Sequence, residues 1–288
     1  MEVALLAGPL AAAPSLQQVV SAVIGFVFFT TAALVFVRVS NHLVRYGGRV
    51  EASEFGLPDL LTGGTLALFF IATMVEALQH RRGAETDVSL DNLLPAQLFL
   101  IAIVAGVGGF MLYRRLNPAR VFGLGRLSLI GSSATAVLFL VASMPVIAVT
   151  NYLTVLMLRD LASEQDLVGL FRDLSRDGDY SAMTKAFVAT VLLAPPCEEF
   201  LFRGYFYGVS KRYLGAFPAA LATSLLFAAF HLNLASLPGL FVLALCLTAA
   251  YERTGSLLVP IGMHALYNST SLVMLYLQSQ GKVPTFQP

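Results

Sequence analysis

Long apolar runs recur along this chain and restrict its fold more than any motif does. Inside hydrocarbon there is no water to satisfy backbone N–H and C=O groups, so a run of about 20 apolar residues can cross a bilayer only as a helix that closes its own hydrogen bonds. The 288 residues are 57% hydrophobic and 12% charged, and the mean hydropathy of +0.76 is far from that of a soluble domain. The expected fold is therefore all-α, a polytopic transmembrane helix bundle of about eight spanning helices. The first four fall near residues 17–37, 60–79, 96–113 and 128–158. The fourth is too long for one span unless it tilts, kinks at Pro145 or projects beyond the bilayer. The polar stretch 159–180 places Leu161, Leu167, Leu170, Phe171 and Leu174 at the spacing of a short amphipathic surface helix. Beyond it come 182–194, 196–213, 217–233, 239–252 and 257–278, of which the first pair can be one span broken at Pro195 and Pro196. The chain so divides into N-terminal membrane helices with an amphipathic segment, 1–180, and a second membrane unit, 181–288.

Composition also removes function classes. A net charge of +1 spread over short loops offers no basic patch to neutralise a run of phosphates, so nucleic acid is not an expected partner. Cys197 and Cys246 lie in apolar surroundings without CxxC spacing, which argues for inert thiols rather than a disulfide or thiolate metal site. The opening MEVALLAGPLAAAPS has a small-residue AAAP but no Lys or Arg before it, so it reads as a mature, weakly ordered N-terminus rather than a secretory signal. Arg38, Arg45, Arg49, Arg114, Arg115, Arg120, Arg126, Lys211, Arg212 and Arg253 fall on one side if the N-terminus is outside, which favours an N-out, C-out arrangement.

Against this background the polar residues of the second unit stand out. The chain reads APPCEEFLFRGYFYG, then FAAFHLN, then GMHALYNST, and ionisable groups in membrane-buried helices usually mark function. Pro196 is suited to a first helical position, which would put Glu198 and Glu199 in a first turn, where free N–H groups and the helix dipole favour anions. Glu199 and Arg203 are four apart and can pair, leaving Glu198 as a surplus carboxylate suited to a general base. Phe227 lies one turn before His231 and can fix its rotamer. His264 and Asn268 repeat the four-residue spacing and together can donate two hydrogen bonds to one oxygen. Each motif also has a structural reading: a capped helix start with a salt bridge, a hydrogen-bonded interfacial histidine, and polar glue between helices. Taken together they supply base, orienting partner and oxyanion stabiliser for attack of water on a carbonyl, with no serine or cysteine needed. A zinc site built from Glu198, His231 and His264 stays open as an alternative, although no HExxH is present. Glu76, beside Gln79 and His80, reads as interfacial, and Tyr205 and Tyr207 as interface or packing aromatics.

These three motifs, EExxxR at Glu198, Glu199 and Arg203, FxxxH at Phe227 and His231, and HxxxN at His264 and Asn268, resemble in order and interval the CAAX protease and bacteriocin-processing (CPBP) family of intramembrane proteases, which includes the Ras-converting CAAX prenyl endopeptidase. The resemblance covers about residues 181–288, which would then be the catalytic membrane core. It implies a glutamate-dependent mechanism without a cofactor: Glu198 acts with His231 to activate water, His264 and Asn268 form the oxyanion hole, and Glu199 and Arg203 support the site. The expected protein is thus a multi-pass integral protein of a bacterial-type cell membrane whose partners are the bilayer and a lipidated or membrane-associated peptide substrate. Within the family the substrate varies, and some members confer immunity to peptides or regulate partners, so a non-catalytic membrane protein is the expectation of a different class. Oligomeric state is not legible in the chain.

Overall fold

The computed structural model describes residues 48–81, 90–157 and 166–283, together with positions 23, 26, 27, 30, 34, 37, 38 and 41, which are helical. The expected N-terminal segment, most of the helix at 17–37, Arg45 and Leu161 lie outside the described residues. Among the described residues every regular element is a helix. In chain order these are α1 (Leu57–Arg81), α2 (Leu90–Tyr113), the short α3 (Pro118–Val121), α4 (Leu129–Met157) and α5 (Asp166–Asp177). Then follows one helical run over 180–214, called α6, made of Tyr180–Phe187, Val188–Leu193, Ala194–Glu199, Phe200–Phe206 and Tyr207–Leu214. The last three are α7 (Ala216–Phe230), α8 (Leu237–Thr254) and α9 (Leu258–Ser279).

Three of the described helices are long and apolar enough to cross a membrane, over Leu57–Gln79, Pro95–Tyr113 and Leu129–Met157, while α7 is apolar but shorter. Helix α4 shows how such a segment serves lipid and protein at once. Its Leu129, Ile130, Leu138 and Tyr152 point outward, more than half exposed, as a lipid-facing surface requires. Its inner face is built from Ser132, Ala136, Ser143 and Pro145, small or compact residues that let α8 and α9 approach. Four hydroxyls on this apolar helix donate back to their own backbone, among them Thr135 to Gly131 O at 2.7 Å and Ser143 to Phe139 O at 2.7 Å, so they cost little in a dry setting. The chain is a membrane protein. The helices that fall short of a plain spanning composition, α6, α8 and α9, are those that bury Glu199 and Arg203, Glu252 and His264.

Helix α5 turns Phe171 inward, 4% exposed, onto Ala186, Val191 and Leu272, as an amphipathic segment should. The two expected segments 182–194 and 196–213 are one helical run, and Pro196 does not begin a helix. Backbone spacing changes instead. Val188–Leu193 and Phe200–Phe206 are π-helical turns, in which Ala194 N donates to Ala189 O and Tyr207 N to Phe202 O, five residues back. The wider turn absorbs the prolines without ending the helix. Glycine then lets neighbours in close: a Cβ on Gly204 would come within 3.0 Å of the Phe122 ring.

At one end of the bundle the segment 48–56 is strapped across the helices. Arg49 N donates to Glu252 O at 2.7 Å, Arg126 Nη1 to Arg49 O at 2.8 Å, and Lys211 Nζ to Val50 O at 2.8 Å. Glu252, 4% exposed, accepts from Tyr207 Oη, Lys211 Nζ and Val50 N. Arg114 pairs with Asp59, Arg120 with Glu54 and Arg126 with Glu51. Of the basic residues that charge patterning assigned to one side, Arg49, Arg114, Arg120, Arg126 and Lys211 meet around this strap. Tyr205 and Tyr207 are interior rather than interfacial: both are buried, and Tyr205 Oη donates to Asp59 O at 3.3 Å. Glu76 and Gln79 are exposed.

Candidate active site

The local backbone around the paired glutamates follows from the two prolines before them. Proline has no N–H to donate. In the π-turn each carbonyl looks five residues ahead, and for Thr190 that residue is Pro195, so Thr190 O would be an orphan inside the bundle. Asn268 of α9 fills the gap, its Nδ2 donating to Thr190 O at 3.0 Å. This bond fastens α9 to α6 one turn above His264 and uses one of the two amide hydrogens. Glu198 and Glu199 consequently lie within a continuous helix, not in a free first turn, and their charge is met by side chains rather than by bare N–H groups.

Glu199 is fully buried, and its Oε1 accepts from Arg203 Nη1 at 3.0 Å and contacts His264 Nδ1 at 2.8 Å. Arg203 and His264 are themselves only 2% and 3% exposed. Glu198, one position on, faces the other edge of the same imidazole, with its Oε2 3.9 Å from His264 Nε2. That distance is too long for a hydrogen bond. Glu198 Oε2 has no hydrogen-bonding partner among the described residues although it is buried, and the same holds for Glu199 Oε2 and Arg203 Nη2. Buried polar atoms of this kind mark a place where a polar guest belongs.

Phe227 is the hub of the apolar wall. Its ring lies 4.8 Å from that of His231, 5.7 Å from His264 and 5.2 Å from Phe202, while Arg203 Cζ sits 4.2 Å above its face. The guanidinium is therefore held by Glu199 on one side and by a π face on the other. His231 caps the C-terminus of α7, and its Nδ1 contacts Phe227 O at 2.9 Å. A carbonyl can only accept, so Nδ1 carries a proton, and the neutral form of the ring would present a bare Nε2. Leu232, next in the chain, takes φ +54, a strained left-handed turn that ends the helix at the histidine. His231 is within electrostatic reach of Glu198, His264 and Arg203.

The structure thus brings Glu198, Glu199, Arg203, Phe227, His231 and His264 into one cluster and attaches Asn268 to its edge through Thr190. No three His, Cys, Asp or Glu side chains among the described residues converge as metal ligands. Glu198, His231 and His264 accordingly do not fit zinc as a ready-made set. Two features were not readable from the sequence. Glu199 serves Arg203 and His264 together, a contact across 65 positions, and Thr190 O is a partner of Asn268 only because the helix is π-wound there. A proline five residues after Thr190 was the available signal, and it takes effect only in that register.

An all-helical membrane protein with a buried acid, imidazole and guanidinium cluster defines a narrow class. Residues 181–270 match the family of type II CAAX prenyl endopeptidases, Rce1-like, a span that holds every residue of the cluster. A protein of Escherichia coli described as an uncharacterized 24.3 kDa protein is 35% identical over 173 residues, covering 58% of this chain and 73% of its own length. The chain belongs to the Rce1-like, type II CAAX prenyl endopeptidase family. No solved structure matches it.

Proposed function

We propose that this protein is a multi-pass intramembrane endopeptidase that hydrolyses a peptide bond in a prenylated CAAX-type or other membrane-associated peptide. The observation that carries this reading is the division of labour between adjacent carboxylates: Glu199 is engaged by Arg203 and His264, while Glu198 keeps a buried oxygen without a partner among the described residues. In this reading the remaining helices of the second unit are also embedded in the bilayer, and the substrate enters laterally between them.

The mechanism follows from the available atoms. A water bound at Glu198 Oε2 gives up a proton to Glu198, with the bare Nε2 of His231 as its partner, and attacks the scissile carbonyl. His264 stabilises the developing oxyanion through Nε2. This nitrogen donates only when protonated, as in the imidazolium form, for which Glu199 under Nδ1 is the counter-ion. Two carboxylates then face two cations, Arg203 and His264, and the cluster carries no net charge at membrane depth. Asn268 contributes its second amide hydrogen, while the first holds Thr190. Proton return from Glu198 to the leaving amine completes hydrolysis without a cofactor.

Glu198→Ala, His231→Ala and His264→Ala, each purified and shown to be folded, test the assignment. Each is expected to lose cleavage of a membrane-associated peptide by at least about a hundredfold. Retained turnover in Glu198→Ala sinks it, and a biological activity that survives all three substitutions supports a non-catalytic role. Metal analysis with chelator treatment separates this route from a zinc enzyme, which alone would lose activity to the chelator.

A further inference from the structure

Away from the acid and imidazole cluster, a cleft of about 380 Å³ opens between the first half of α4 and the second half of α8, a size within the roughly 300–1,000 Å³ of ligand sites. Its wall is apolar, with Leu138, Ala142, Cys246 and Ala249 among the lining residues, and Arg49 and Arg253 stand at the end near the strap. The hydroxyls on the wall are already spent, Ser143 on Phe139 O at 2.7 Å and Thr254 on Ala250 O at 2.8 Å. Along that wall a peptide or other polar ligand would find no free hydroxyl donor, the donors being confined to the arginine end. A hydrocarbon chain needs none.

The two arginines are positioned by the fold. Arg49 is pinned through its backbone on both sides, its N–H on Glu252 O at 2.7 Å and its carbonyl under Arg126 Nη1 at 2.8 Å, which sets it beside residue 253. Arg114, Arg120 and Arg126 at the same end each have a carboxylate. Among the described residues neither Arg49 nor Arg253 makes an ion pair, the nearby Glu252 carboxylate being taken by Lys211, Tyr207 and Val50, so the cleft presents two guanidiniums not bound to a carboxylate beside an apolar slot. Basic pockets between membrane helices are suited to anionic headgroups. We propose that this cleft holds one anionic phospholipid, its phosphate between Arg49 and Arg253 and one acyl chain laid between α4 and α8. The lipid joins the first half of the chain to the second and is not a substrate.

The test uses the purified full chain in detergent, titrated with phosphatidylglycerol, phosphatidylcholine or inorganic phosphate, with bound lipid counted by native mass spectrometry and thermal unfolding followed in parallel. Phosphatidylglycerol is expected to be retained on the order of thirtyfold more tightly than phosphatidylcholine, as two arginines beside an anionic group allow. Inorganic phosphate should shift unfolding little. Arg49→Ala combined with Arg253→Ala brings phosphatidylglycerol down to the phosphatidylcholine level. Ala249→Phe, which fills the slot and keeps both arginines, weakens both lipids and decides the matter if the double variant does not fold. Equal retention of the two lipids by wild type, an undiminished preference in the double variant, or a phosphate shift matching that of phosphatidylglycerol overturns the proposal. No readout is peptide cleavage, so this proposal and the proposed function stand or fall separately.

Discussion

Glu198 and Glu199 are neighbours in sequence with opposite prospects. Glu199 is completely buried and holds a guanidinium and an imidazole on one oxygen, so it belongs to the frame of the site. Removing its charge leaves the buried Arg203 without its hydrogen-bonded carboxylate, a loss of the kind that costs about 3–5 kcal/mol. Glu199→Gln should therefore lower thermal stability sharply, whereas Glu198→Gln should unfold within a few degrees of wild type yet lose turnover by about a hundredfold or more. Unfolding curves and peptide turnover on the same two preparations check both. Phe227→Ala removes the ring that touches His231, His264 and Arg203. It should cost about 3–5 kcal/mol as a large core truncation, visible as a lowered unfolding midpoint. At this scale the pairing of Glu199 with Arg203 was legible, because four positions on a helix share a face. The bond from Glu199 to His264 was not, because nothing in local periodicity links residues on different helices.

Helices were legible where apolar runs were long and bounded by polar or glycine-rich breaks. The described α1, α4 and α9 agree with the expected segments to within three residues, while α2 ends where expected at Tyr113 but begins six residues earlier, at Leu90. The junction at Pro195 and Pro196 was not legible as it stands. A proline pair reads as a helix start, yet a π-turn carries the helix through and leaves Thr190 O for Asn268. Two outcomes follow at this scale. Asn268→Ala strips the partner from a buried carbonyl at a cost of about 1–3 kcal/mol, and hydrogen exchange over residues 188–193 should quicken. Deleting one residue from the second π-turn, Phe200–Phe206, would rotate the glutamates by about 100° relative to Lys211. Circular dichroism should then show unchanged helix content while cleavage is lost.

Across the whole molecule the strap over residues 48–56 closes one end, with Glu252 as its anchor. Glu252→Ala leaves Lys211 without its carboxylate, so the loss should again reach about 3–5 kcal/mol, read as a lowered unfolding temperature, although no residue of the candidate site is altered. This anchor was invisible in the sequence, since a lone glutamate late in an apolar helix announces no partner. The central claim is that Glu198 activates water inside this bundle. It is tested most directly by turnover of a fluorogenic farnesylated CAAX peptide with purified wild-type and Glu198→Ala protein. Measurable cleavage by the wild type and none above background by the folded variant is expected, and equal cleavage by the two rules out Glu198 as the base.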